Sequence, residues 1–212
     1  LTDELLNMVE RNEDVLGIVP WASEADRWAE LVFCILNAFR DEPLRCREVV
    51  DVLQRLELGN PSALAAAGDP SSENATVLRY VLRQHGFDDD GTGVVAGLLS
   101  RLGGAIERDW QGKVQRILRP RAEAVRDDVI ALFGNTDGVE AELRRGVTHW
   151  LQNALSLPLS VDDPLVQAFC AQRGISREEL TTAADEIGFN LALVDDLVRL
   201  EAKRGEQEDE RP

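Results

Sequence analysis

Two adjacent carboxylates, Asp162 and Asp163, stand directly before Pro164 and the apolar pair Leu165-Val166. Upstream, Leu157-Pro158-Leu159 closes the preceding helical pattern, so the pair sits where one helix stops and another begins. Proline suits the first helical position, where a missing N–H costs nothing and its fixed φ is already helical. A carboxylate ahead of it accepts from first-turn N–H groups and lies at the positive end of the helix dipole, and both effects keep it ionised. A fixed, ionised carboxylate facing a cleft can direct a water molecule or stabilise a developing cation. The same residues equally describe an ordinary acidic N-cap, and the pattern by itself leaves both readings open. Asp163, next to the proline, has the better capping position, and Asp162 is the competing candidate.

The elements that must position this pair read as helices throughout. Arg27–Arg40 carries Trp28, Leu31, Val32, Ile35 and Leu36 at the spacing of a core-facing helix. Val49, Val50, Val52, Leu53 and Leu56 mark a second helix, stopped near Gly59-Asn60-Pro61, and Pro61–Ala67 gives a short third. Asn74–His85 and Thr92–Leu102 follow, the latter closed by Gly103-Gly104. Val114–Phe133 is amphipathic, with a fresh start at Pro120. Phe133-Gly134-Asn135-Thr136-Asp137-Gly138 is a helix-breaking turn, and a long helix runs from Asp137 toward Leu155. Ser176-Arg177-Glu178-Glu179 matches a capping box, and Val194–Leu200 supplies a last apolar stripe. No segment alternates with period two for long enough to read as a strand, so the expected fold class is all-α.

Composition bounds the chemistry. The 212 residues suit one large domain or two small lobes, and 44% hydrophobic content is ample for a core. No run reaches the roughly 18 apolar residues of a membrane span, and no signal-peptide pattern opens the chain; the expectation is a cytoplasmic protein with no membrane partner. Cys34, Cys46 and Cys170 are scattered, which favours buried free thiols over disulfides. With no CxxC pair and only His85 and His149 as imidazoles, no metal site or other cofactor is expected. A formal net charge of −16 argues against gripping nucleic acid by bulk positive charge. The cations nevertheless cluster between Arg101 and Arg126 and recur at Arg144 and Arg145.

The helix order resembles the helix-hairpin-helix DNA glycosylase superfamily, the relatives of endonuclease III and alkyladenine glycosylase. The resemblance starts at Trp28-Ala29-Glu30-Leu31-Val32-Phe33-Cys34-Ile35-Leu36-Asn37-Ala38 and continues through Asn60-Pro61-Ser62-Ala63-Leu64-Ala65. Val81-Leu82-Arg83-Gln84-His85-Gly86-Phe87, Val161-Asp162-Asp163-Pro164-Leu165-Val166 and Val194–Leu200 extend it over roughly residues 28–204. It implies a two-lobed helical bundle without an iron–sulfur cluster. Residues 28–155 would form a central lobe with a hairpin-like turn near 133–140, and residues 1–27 with 156–204 a second lobe. Residues 205–212 would be a disordered tail. By the same resemblance the catalytic carboxylate is Asp163 or Asp162, and the partner is duplex DNA with one base flipped out. Gly134, Gly138, Arg144, Arg145 and Phe39 would contact DNA, and Trp28 and Trp150 would line the base pocket. Trp110 and Tyr80 are further aromatic candidates.

The departures define the possible activities. The family hairpin reads Leu-Pro-Gly-Val-Gly, whereas the stretch from Leu132 to Glu140 is longer and carries acidic Asp137 and Glu140, which repel phosphate. No lysine lies between Lys113 and Lys203, so an imine-forming lyase step has no nucleophile there. The leading expectation is therefore a monofunctional DNA glycosylase. Its alternatives are a catalytically inactive relative acting as a partner-binding or scaffold subunit, and an unrelated all-α interaction protein.

Overall fold

A computed structural model of the chain describes residues 1–12, 23–40, 42–114, 122–155, 164–188, 194 and 196–201. The Asp162–Asp163 pair, the Pro120 helix start and the 205–212 tail lie outside these residues. Among the described residues every regular element is a helix and no strand occurs. In chain order the helices are α1 (Thr2–Arg11), α2 (Glu24–Arg40), α3 (Pro43–Arg55), α4 (Pro61–Ala66) and α5 (Glu73–Gln84). They continue as α6 (Asp89–Trp110), α7 (Ala122–Ala131), α8 (Glu140–Leu155), α9 (Pro164–Arg173) and α10 (Arg177–Glu186). The chain divides into two compact units, Leu1–Ile18 with Leu155–Pro212, and Val19–Ala154. No described helix is long and apolar enough to cross a membrane.

The larger unit is organised around α2. Eleven consecutive residues, Trp28 to Ala38, are buried, so this helix is covered on every side. It packs on α3 and α6, and α8 reaches it at very short range. A side chain at Gly146 of α8 would meet the Cys34 carbonyl oxygen at 2.8 Å, which is why only glycine fits there. Trp150 of α8 donates its indole N–H to the Arg27 carbonyl at 3.1 Å. Residues 24–27, which the family resemblance assigns to the second lobe, form the first turn of α2 and fall within this unit.

Most helix starts follow local chemistry. Asn60 accepts from the Ala63 N–H with Pro61 behind it, Ser72 accepts from Ala75, and Asp88 accepts from Gly91. The expected stop at Gly103-Gly104 does not occur, and α6 runs on to Trp110. Gly103 is instead a contact point: a Cβ there would meet the Pro61 carbonyl oxygen at 2.6 Å. The missing side chain lets α4 lie directly against α6, and that packing outweighs the poor helix propensity of glycine.

In the smaller unit Leu5 and Met8 of α1 share one core with Val166, Phe169 and Cys170 of α9 and Leu180, Ala183 and Ala184 of α10. Val194, Leu197 and Val198 complete it, residues 196–201 being helical. Ser176 and Glu179 form a reciprocal capping box at the start of α10. The first helix of the chain ends at Arg11, and its ion pairs hold it to later segments. Glu4 binds Arg173 at 2.6 Å and Arg11 binds Glu201 at 2.7 Å.

Candidate functional site

The connection between α7 and α8 is the most defined of the sequence-predicted sites. Helix α7 winds down through Leu132 and Phe133, whose N–H groups reach back three residues, and Gly134 then takes φ +71°. Left-handed backbone is inexpensive for glycine, so this is an ordinary glycine helix stop. Phe133 is fully buried and pins the turn to the unit's core. Asn135 Oδ1 then accepts the Asp137 N–H at 2.9 Å, and the Val139 N–H closes a four-residue turn on the Thr136 carbonyl at 3.0 Å. Gly138 occupies the third position of that turn with φ +79°, where a side chain would be strained. Nothing lies within 4 Å of where its Cβ would be, so the backbone at Gly138 is open to approach. Helix α8 begins two residues later at Glu140.

A residue that the sequence marks only as one end of a cationic cluster holds this turn from outside. Arg101 of α6 donates through Nε to the Phe133 carbonyl and through Nη2 to the Asn135 carbonyl at 3.3 Å. Its partners lie more than thirty residues away in sequence, and no local pattern announces them.

The arginines expected to meet phosphate are engaged within the fold. Arg144 lies 3.5 Å from the Asp127 carboxylate, both exposed. Arg145 is part-buried and donates to the Ala38 carbonyl, one of the last-turn carbonyls of α2 that lack intrahelical donors. The turn thus brings Gly134, Gly138 and Arg101 together, with Asp137 and Glu140 contributing negative charge beside them.

The aromatic candidates separate. Trp28 and Trp150 are core side chains, 2% and 0% exposed, so neither presents a face to a ligand in this conformation. Phe39 and Trp110 are half-buried near the C-terminal ends of α2 and α6, and Tyr80 of α5 is exposed. Asp162 and Asp163 lie outside the described residues, while α9 starts at the Pro164 that follows them. Cys34, Cys46 and Cys170 are buried, and no group of side chains suited to a metal ion occurs among the described residues.

Among the described residues these features define an all-helical chain of two compact units, with a glycine turn between α7 and α8. Compared with protein-family models, curated proteins and solved structures, the chain matches none significantly.

Proposed function

We propose that this chain is a monofunctional DNA N-glycosylase of the helix-hairpin-helix type, two helical lobes with the α7–α8 turn as the hairpin. The observation that carries the reading is that turn: two glycines at positive φ between two helices, one of them open to approach. Backbone N–H groups at a glycine turn can come close to a phosphate without steric obstruction, and they fix register without reading sequence.

In this mechanism a damaged or modified base is flipped out of the stack, since the sugar carbon under attack is inaccessible within the duplex. The bond from C1′ to the base nitrogen breaks with its electron pair leaving on the base. Positive charge then develops on the sugar, and the Asp163 carboxylate, or Asp162 in its place, stabilises it. Water bonds to C1′, its proton passing to the carboxylate and on to the departing base. With no lysine between Lys113 and Lys203, the strand stays intact.

The test is base release from duplexes carrying a panel of damaged or modified bases, with Asp163→Asn and Asp162→Asn alongside. Free base should appear, one of the two variants should abolish it, and borohydride should trap no covalent protein–DNA adduct. The engagement of Arg144 with Asp127 and of Arg145 with the Ala38 carbonyl favours a second reading, a partner-binding subunit on the same fold. Absence of duplex binding even at low salt, where phosphate contacts are strongest, would reject the enzyme and leave that second reading.

A further inference from the structure

Arg101 is exposed, yet its side chain follows a narrow path. It folds over Gly97, one turn earlier on α6, where a Cβ would sit 3.3 Å from Nη1. It also passes Gly134, where a Cβ would sit 3.6 Å from its Cδ. Two positions without side chains therefore flank the arginine. At the end of that path the guanidinium forks onto the carbonyls of Phe133 and Asn135, the residues on either side of Gly134. A rigid planar fork suits two carbonyl acceptors where a lysine ammonium would hold only one firmly.

We propose that Arg101 is the positioning residue of the α7–α8 turn: it fixes the left-handed step at Gly134, and through it the presentation of the Gly138 backbone to a phosphate. This rests on the glycosylase reading and deepens it by naming what orients the phosphate-facing turn.

The experiment compares wild type with Arg101→Gln and Arg101→Lys by amide hydrogen exchange and by fluorescence anisotropy on an unmodified duplex. In Arg101→Gln, exchange over residues 133–139 should accelerate at least about tenfold, the loss of a charge-assisted bond, while α4 and α5 stay protected. Duplex affinity should fall by a similar factor, and Arg101→Lys should recover part of both. Unchanged exchange in the turn overturns the assignment. Loss of protection throughout the unit also overturns it, because Arg101 would then be a general stabiliser. Intact local exchange effects in a wild-type protein that binds no duplex would reject the glycosylase reading, and the DNA-positioning role with it, while preserving the hold of Arg101 on the turn.

Discussion

Glu30 is 3% exposed between α2 and α3, with Arg47 Nη1 at 2.6 Å and Nη2 at 3.3 Å from its two oxygens. The guanidinium also stacks 3.4 Å from the centre of the Phe33 ring, so one side chain joins charge pairing to aromatic packing. Removing one partner of a buried pair costs more than the pair contributes, because a desolvated charge is left behind. Arg47→Ala is therefore expected to lower unfolding stability by about 3 kcal/mol in urea titrations. Arg47→Lys should recover only part of that, lacking the fork and the flat face. At the opposite extreme of exposure, Asp69 accepts from the hydroxyl and backbone N–H of Ser71, and these bonds hold its carboxyl below the ordinary aspartate value. A depressed carboxyl contributes stability above its unfolded value and loses that contribution as pH falls through the folded one. Ser71→Ala should raise the Asp69 titration midpoint, readable from the side-chain carbon by NMR.

At the scale of elements, α6 separates the two uses of glycine. Gly103 is pressed against α4, and an added methyl group would meet the Ala65 nitrogen at 3.0 Å as well as the Pro61 carbonyl. Gly103→Ala should destabilise the unit by about 2 kcal/mol through overpacking. Gly93, exposed in the same helix, has nothing within 4 Å of its missing Cβ. Gly93→Ala should instead stabilise by roughly 0.5–1 kcal/mol, because alanine loses less backbone freedom in a helix. Thermal denaturation of the two variants side by side reads the opposite signs directly. The same distinction explains why Gly103-Gly104 reads as a helix stop in the sequence: propensity is local, and the contact that overrides it comes from α4. The short helix from Pro61 and the Ser176–Glu179 box were legible because their signals lie within three residues of the helix start, whereas the Asn60 and Ser72 caps emerged from the structure. Arg101 was not, since its type and position say nothing of carbonyls on a distant turn.

For the whole molecule, the first helix and the last described segments form one core. Leu5 is fully buried there, and Leu5→Ala should cost about 3 kcal/mol from lost transfer energy and the cavity left behind. If the unit is cooperative, limited proteolysis of that variant should open sites in residues 164–201 as readily as in α1, while α2–α6 keep their protection. Cleavage confined to α1 would show that the later helices hold together without it.

The sequence by itself determined that the described residues are helical, where α4, α5, α9 and α10 begin, and that a glycine turn separates α7 from α8. Those properties depend on periodicity, capping and left-handed glycine, all of which act over a few residues. Tertiary structure decided which candidate side chains face outward and which are already engaged. Trp28 and Trp150 became core because α2 is enclosed on all sides, and Arg145 became a helix-end donor because α8 lies against α2. Arg101 acquired its role only when the turn folded onto α6. In each case the deciding partner is distant along the chain, and a side chain's type does not encode which carbonyl or helix will meet it.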